Sequence, residues 1–146
     1  PMPTTLITGA NRGIGLALVR EFQKHGHTVI ATARDPAAAK ELKATGAELH
    51  ALDVADPASI KALAASLTGR ALDFLINNAG LGDRADISRL DYDRFEEILR
   101  VNTIAPIRVL DALTPNLAAG KEKVAAALSS QLGSIGNTDM GFGLAY

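Results

Sequence analysis

The sequence TGANRGIG at residues 8–15 follows directly on a run of β-branched and aliphatic residues at positions 4–7 and opens into a segment of helical periodicity. A glycine-rich turn between a strand and a helix lets backbone N–H groups and the positive end of the helix approach a pyrophosphate. Gly9 and Gly13 permit a tight turn, and Gly15 lets the helix pack closely on the strand. A glycine-rich turn without a ligand is the alternative, which the flanking strand and helix disfavour. The stretch therefore predicts a nucleotide-binding turn.

Short β-branched or aliphatic runs alternate with longer helical stretches along the rest of the chain. The five expected strands are roughly residues 4–8, 27–33, 47–54, 73–77 and 123–129. This alternation predicts an α/β fold of the Rossmann type, a doubly wound parallel sheet in strand order 3-2-1-4-5. No internal repeat or linker interrupts the pattern, so we expect residues 1–146 to form one domain.

The expected helices carry start and stop signals. Asp35-Pro36 and Asp56-Pro57 each combine an N-cap residue with a proline suited to the first helical position, so a helix should begin at each. Gly26 suits the left-handed end of the first helix. The apolar stripes expected on the first and third helices are Ile14, Leu18 and Phe22, and Ile60, Leu63 and Leu67.

Composition excludes several classes of function. The chain has 15 Lys and Arg against 16 Asp and Glu, so it lacks the charge that nucleic acid or an anionic membrane would select. It has no cysteine, which excludes disulfides and thiol catalysis and fits a reducing compartment. Neither a secretory signal nor a membrane span of roughly 18 apolar residues is evident, so we expect a cytoplasmic protein. His25, His27 and His50 lack metal-ligand spacing, and we expect no metal site.

The end of the second expected strand indicates which dinucleotide would bind. An acidic residue there would accept hydrogen bonds from the ribose 2′-hydroxyl and repel a 2′-phosphate, but this chain has Ala33. Arg34 follows it, and Arg12 lies in the glycine-rich turn, so two guanidinium groups can converge on a 2′-phosphate. Either arginine could instead be a solvated surface charge. The charge argument favours NADP(H), with NAD(H) as the alternative cofactor.

The turn at residues 8–15 resembles the TGxxxGxG loop of the short-chain dehydrogenase/reductase family. Four further stretches match that family in order and spacing, namely Leu52-Asp53-Val54, Asn77-Asn78-Ala79-Gly80, Val101-Asn102 and Ser129-Ser130. Residues 129–139 are most similar to the C-factor and sniffer-like carbonyl reductase branch. The resemblance covers essentially the whole chain.

The resemblance implies an NADP(H)-dependent oxidoreductase that interconverts a carbonyl and an alcohol on a small-molecule substrate. Together with the charge argument, it assigns cofactor binding to Gly9, Asn11, Arg12, Gly13, Ile14, Gly15, Arg34, Asp53, Val54, Asn78, Ala79 and Gly80. Asp53 and Val54 would contact the adenine ring, and residues 78–80 would line the nicotinamide side. In the same comparison Tyr146 exchanges a proton with the substrate oxygen, Ser130 holds that oxygen, and Asn102 belongs to the proton relay.

Asn102 also stands out on physical grounds. It continues the apolar stripe of Phe95, Ile98 and Leu99, so its amide needs a hydrogen-bond partner. Pro106 cannot donate a helical hydrogen bond to the carbonyl of Asn102, so the helix should kink and the freed carbonyl could hold a water. A purely structural asparagine, satisfied by a neighbouring strand, is the alternative.

Tyr146 is the last residue of the sequence. The family places a lysine four residues after this tyrosine, where it lowers the tyrosine pKa, so we expect this chain alone to be inactive or nearly so. A five-stranded sheet ending here would leave the flank of the fifth strand and fourth helix uncovered, and we expect the natural protein to continue with further strands and helices. By resemblance, a homodimer or homotetramer is also expected.

Two other functions remain open. A non-catalytic nucleotide-binding or signalling module would fit the absent lysine. An epimerase or dehydratase of the extended branch is disfavoured, because those enzymes usually have TGxxGxxG, which differs from the glycine spacing here.

Overall fold

Strands and helices alternate along the chain in a computed structural model, which describes residues 2–82, 87–134 and 136. The strands are β1 (Thr4–Ile7), β2 (Thr28–Ala33), β3 (Glu48–Ala51), β4 (Phe74–Asn77) and β5 (Val124–Ala127). The helices are α1 (Gly13–Lys24), α2 (Lys40–Lys43), α3 (Pro57–Ser66), α4 (Tyr92–Leu99) and α5 (Ala105–Ala119), with 3-10 turns at Ile87–Arg89 and Gln131–Gly133. The five strands form one parallel sheet in the order β3-β2-β1-β4-β5, which confirms the expected Rossmann-type topology.

Helices cover both faces of the central strands β1, β2 and β4. Leu6 pairs with Ile30 on one side and Leu75 on the other, and these side chains share a buried cluster with residues of α3 and α5. The alternate positions, such as Ile7 and Ile76, pack with residues of α1 and α2. Because both faces are buried, the central strands read as nearly continuous apolar runs. Because the strands are parallel, the turn that follows β1 lies at the carboxyl edge of the sheet, where ligands of this architecture bind.

Two of the expected helix signals are confirmed. Gly26, after α1, has a positive φ of 82°. At the start of α3, Oδ1 of Asp56 accepts a hydrogen bond from the Ala58 N–H at 2.9 Å, and Pro57 is the first helical residue. The buried stripe of this helical segment is, as predicted, Ile60, Leu63 and Leu67. For α3, the capping residue and the buried apolar stripe therefore both support the predicted helix.

The prediction of a helix beginning after Asp35 was wrong. Oδ1 of Asp35 accepts a hydrogen bond from the Ala38 N–H at 3.1 Å, but this closes only a turn. The helix that follows, α2, has four residues and buries only Leu42. Without an apolar stripe to pack on the sheet, the capping signal alone does not sustain a longer helix.

The predicted apolar face of α1 is only partly correct. Leu18 and Phe22 pack at the margin of the buried cluster, but Ile14 is 65% exposed. The fully buried side of the helix carries Leu16 and Val19 instead. Ile14 lies in the first helical turn, beside the glycine-rich turn rather than over the strands. The exposed side chain of Ile14 is therefore accessible to a ligand at the carboxyl edge of the sheet.

The expected disruption near Pro106 takes the form of a π-helical segment, Arg100–Ile104, between α4 and α5. The Ala105 N–H donates to the carbonyl of Arg100, five residues back. Since Pro106 cannot donate to the carbonyl of Asn102, a wider helical turn accommodates the missing hydrogen bond.

One flank of the sheet carries exposed apolar side chains, as the sequence predicted. All four residues of β5 are exposed, Val124 by 41%, and Leu128 after it is 42% exposed. On α5 and the segment before it, Ile104, Ile107 and Leu110 are also exposed.

Within the described ranges, no helix combines the length and apolar character needed to cross a membrane.

Candidate active site

The glycine-rich turn leaves the start of α1 open. Gly9 and Gly13 have positive φ angles of 64° and 54°. Arg12 precedes the helix in an extended conformation, makes no side-chain hydrogen bond to its first turn, and that turn has no acidic residue. Asn11, Arg12 and Ile14 are exposed around it. The first-turn N–H groups and the positive helix end can therefore receive an anion.

Two glycines hold this turn against the loop that follows β4. A Cβ on Gly9 would lie 2.8 Å from the Cα of Ala79. A Cβ on Gly15 would lie 2.4 Å from the carbonyl oxygen of Gly9 and 2.5 Å from Nδ2 of Asn78. The sequence predicted close packing of helix on strand at Gly15, and the structure adds contacts with the turn and with Asn78. A side chain at either glycine would push the two loops apart.

Thr8 and Asn78 join the same two loops by hydrogen bonds. Oγ1 of Thr8 accepts the N–H groups of Asn78 and Ala79, both at 3.1 Å. Nδ2 of Asn78 donates to the carbonyls of Thr8 and Gly9, both at 3.0 Å. The Asn78 side chain thus lies behind the glycine-rich turn and fixes two of its carbonyls. The family resemblance predicts Asn78 on the nicotinamide side, and it does not indicate the hydrogen bonds of Thr8.

Asn102 is fixed to the segment just after Gly80. Its Nδ2 donates to the carbonyl of Leu81, and its Oδ1 accepts the N–H of Leu81, both at 2.8 Å. A Cβ on Gly80 would lie 3.4 Å from Oδ1 of Asn102. The partner that the sequence required for this amide is therefore a loop backbone rather than a strand. The other asparagine of the motif, Asn77, is buried and donates to the carbonyl of Pro106 at 3.4 Å.

Arg34 follows the end of β2, and Arg12 lies in the glycine-rich turn just before α1. Ala33 is buried, whereas Arg34 and Arg12 are exposed. Within the described residues, neither guanidinium makes a hydrogen bond or ion pair. Both positive charges are therefore available to an anionic ligand.

Asp53 begins a tight turn at the end of β3. Its Oδ1 accepts the N–H of Ala55 at 2.9 Å, and its carbonyl accepts the N–H of Asp56 at 3.2 Å. Its own N–H donates to Oγ of Ser59 at 2.9 Å. Asp53 and Val54 are half-buried beside this turn. Sequence reasoning missed Ser59, because no local pattern pairs a serine in the first turn of a helix with a residue six positions earlier.

Ser130 follows β5 at the same edge of the sheet. It is half-buried, and its Oγ accepts the N–H of Leu132 at 3.1 Å, so its own hydrogen can still be donated. Tyr146, the predicted proton donor and acceptor, lies outside the described residues.

Two carboxylates with lowered pKa lie away from this site. The backbone N–H groups of Thr4 and Lys121 donate to Asp73 at 2.8 and 2.7 Å and hold its pKa below the ordinary value. Hydrogen bonds from Arg70 and then His50 lower the pKa of Glu48. Asp73 precedes β4 and Glu48 begins β3, so both lie at the amino edge of the sheet. In the part of the chain that the structure describes, no cluster of three metal-ligating side chains occurs.

Comparison with known proteins agrees with this arrangement. The chain is 39% identical over 119 residues to carbonyl reductase (NADPH) 3 of Mus musculus, which covers 75% of this chain and 43% of that protein. A short-chain dehydrogenase/reductase of Burkholderia multivorans with bound NADP matches with a TM-score of 0.89 and 32% identity, over 100% of this chain and 66% of that one. An NADPH-bound carbonyl reductase from chicken fatty liver also matches with a TM-score of 0.89, at 36% identity, over 99% and 67%.

The chain spans about half the length of the curated relatives it matches. The family model for short chain dehydrogenases matches residues 3–142, which is nearly the whole chain. The chain belongs to the short-chain dehydrogenase family.

Proposed function

We propose that the carboxyl edge of this sheet binds NADP(H), with the pyrophosphate on the first turn of α1. The observation that carries the proposal is the open helix start, where Gly9 and Gly13 shape the turn. Among the described residues no side chain caps the first turn of α1, and that turn contains no acidic residue. Anions are stabilised at such a helix end. The similar structures from Burkholderia multivorans and chicken contain NADP and NADPH, which supports the same cofactor here.

The charges of two arginines, one in the glycine-rich turn and one after β2, support NADP(H) over NAD(H). Arg12 and Arg34 are exposed and make no ion pair within the described ranges, and Ala33 replaces the acidic residue that would bind an unphosphorylated ribose. In the proposed complex, the two guanidinium groups bind the 2′-phosphate. Asp53 and Val54 contact the adenine ring, and residues 78–80 line the nicotinamide side.

A titration with both dinucleotides tests this cofactor assignment. Arg34→Ala should weaken NADPH binding about 10-fold, because it removes charge-assisted hydrogen bonds to the 2′-phosphate, and should leave NADH binding unchanged. Isothermal titration calorimetry measures both affinities. Arg108→Ala, at an exposed position on α5, is the matched control. Equal losses of NADPH and NADH affinity in Arg34→Ala would contradict the assigned role.

We also propose that the protein interconverts a carbonyl and an alcohol on a small molecule. When bound, NADP(H) supplies or accepts the hydride. Tyr146 exchanges a proton with the substrate oxygen, and Ser130 donates a hydrogen bond to that oxygen, for which its hydroxyl hydrogen is available. Asn102 orders the segment that follows Gly80, and its backbone carbonyl holds a water of the proton relay.

For the 146 residues alone we expect NADPH binding with little or no turnover. The lysine that the family places four residues after Tyr146 would have to come from a longer form of the protein. In such a form, Ser130→Ala should lower kcat about 100-fold or more without weakening NADPH binding, measured by NADPH oxidation with a panel of aldehydes and ketones. Binding without turnover in that longer form would support the non-catalytic module instead.

A homodimer or homotetramer is also proposed. Ile104, Ile107 and Leu110 recur at intervals of three residues and are exposed, with Ile107 66% exposed. Contiguous exposed apolar surface on a soluble domain is typical of a contact between subunits. This row along α5 and the preceding π-helical segment supports self-association.

A further inference from the structure

We infer that Ser59 is a positioning residue that fixes Asp53 to accept a hydrogen bond from the 6-amino group of adenine. The inference rests on the proposed binding of NADP(H) and deepens it. It assigns to this chain a residue that controls recognition of the adenine base.

The argument starts where the chain leaves β3. The N–H of Leu52 still donates to the carbonyl of Ala33 at 2.9 Å, so the hydrogen bonding to β2 extends one residue past the strand. The next N–H, that of Asp53, donates instead to Oγ of Ser59 at 2.9 Å. The first residue to leave the sheet is therefore held by a side chain in the first turn of α3.

Ser59 can hold this position because α3 is firmly packed. Its neighbour Ile60 is buried, and so is Leu63 one turn later. Asp56 caps the helix one residue before Pro57, which fixes the start of α3. The hydroxyl of Ser59 thus projects from a rigid element toward the strand end.

The hydrogen bonds around Asp53 leave one atom free. The Asp53 N–H donates a hydrogen bond to Ser59. Its carbonyl accepts one from Asp56, and its Oδ1 accepts one from Ala55. Within the described residues, Oδ2 has no hydrogen-bond partner. A fixed carboxylate oxygen that can only accept hydrogen bonds selects a donor, and the 6-amino group is the donor on the edge of adenine. Hypoxanthine carries a carbonyl at that position and would repel the carboxylate.

The experiment compares NADPH with its hypoxanthine analogue, reduced nicotinamide hypoxanthine dinucleotide phosphate. Binding of both is measured by calorimetry on the 146-residue chain and its variants, and thermal unfolding is recorded for each. Wild type should prefer NADPH about 10-fold or more, and Ser59→Ala should reduce this preference to about 2-fold or less, as Asp53→Ala should also do. Ser59→Thr keeps the hydroxyl and should keep the preference. Ser66→Ala, at the other end of α3, is the matched control.

Three results would overturn the inference. In the first, Ser59→Ala retains the wild-type preference, which leaves the proposed function intact. In the second, Ser59→Ala loses affinity equally for both dinucleotides, so that Ser59 only stabilises the fold. In the third, wild type binds NADPH without preferring it to the analogue. Failure of wild type to bind NADPH at all would instead contradict the proposed function, and the inference with it.

Discussion

Thr8 and Thr32 are both almost completely buried, but their hydroxyl groups have different surroundings. Oγ1 of Thr8 accepts two backbone N–H groups, whereas Oγ1 of Thr32 has no hydrogen-bond partner among the described residues. A buried N–H left unpaired costs more free energy than a buried hydroxyl that is replaced by a methyl group. Substitutions at these two positions therefore distinguish the effect of hydrogen bonding on stability from the effect of burial.

Thr8→Val should lower the free energy of unfolding by about 2 kcal/mol or more, because it leaves the N–H groups of Asn78 and Ala79 unpaired. Thr32→Val should change it by about 1 kcal/mol or less, and toward greater stability, because it removes an unpaired hydroxyl. Urea unfolding of the two variants measures the difference. Similar losses in both would contradict the role given to the Thr8 hydrogen bonds.

At the residue scale, the sequence predicted which polar side chain needs a hydrogen-bond partner, but it did not predict which residue is the partner. Asn102 had to be satisfied because it continues a buried stripe, and the structure pairs it with the backbone of Leu81. The sequence could not identify that partner, because the two residues are 21 positions apart and meet only where the π-helical segment lies against the loop after β4. Asn78 was assigned to the ligand side, yet its amide binds the carbonyls of Thr8 and Gly9.

At the scale of elements, two Asp-Pro dipeptides had opposite outcomes. Asp56 caps a ten-residue helix, whereas Asp35 closes only a turn. Both aspartates accept a backbone N–H, so the local signal works in each case. The difference lies in the apolar stripe that follows Asp56 and does not follow Asp35. Helix existence was predictable where capping and periodicity agreed, and capping alone was insufficient.

Asp73 joins three elements, since it precedes β4 and accepts N–H groups from Thr4 in β1 and Lys121 before β5. These donors lower its pKa in the folded chain. Its contribution to stability is therefore complete above the ordinary aspartate pKa of about 4 and is lost as the pH falls through the lower folded-state value.

Asp73→Asn should be less stable than wild type at pH 7, and the difference should shrink as the pH falls from about 5 toward 2. Urea unfolding at a series of pH values measures this difference. Asp111→Asn, at an exposed position on α5, is the control for the same chemical change. A difference for Asp73→Asn that stays constant with pH would show that the lowered pKa does not contribute to stability.

At the scale of the whole molecule, the exposed apolar row of Ile104, Ile107 and Leu110 should drive self-association. Ile107→Glu should shift the chain toward monomer, because a carboxylate is costly to bury in a subunit contact. Sedimentation velocity measures the shift, with Arg108→Glu as a control at the neighbouring exposed position. A wild-type chain that is monomeric at high concentration would contradict the proposed oligomer.

The strand order, the parallel sheet and the glycine-rich turn were predictable because they depend on alternating periodicities and on short motifs. The contacts between the turn and the loop after β4 were not, since they join residues about 70 positions apart, such as Thr8 and Asn78. The motifs shared with the family identified both loops. The hydrogen bonds that hold one loop against the other are seen only in the folded chain.

The most direct test of the account is NADPH binding by Gly13→Ala. Gly13 has a φ of 54°, and a Cβ there would meet no atom of the described residues within 4 Å beyond its chain neighbours and the backbone of its own helix. In the proposed complex the methyl group would lie against the pyrophosphate. Gly69→Ala is the matched control, because Gly69 has a φ of 78° and equally open surroundings but lies before β4, at the opposite edge of the sheet. Each substitution should cost about 1–2 kcal/mol of stability through backbone strain. We predict that Gly13→Ala lowers NADPH affinity by about 10-fold or more while Gly69→Ala leaves it unchanged, and wild-type affinity in a folded Gly13→Ala would contradict binding of the cofactor at this turn.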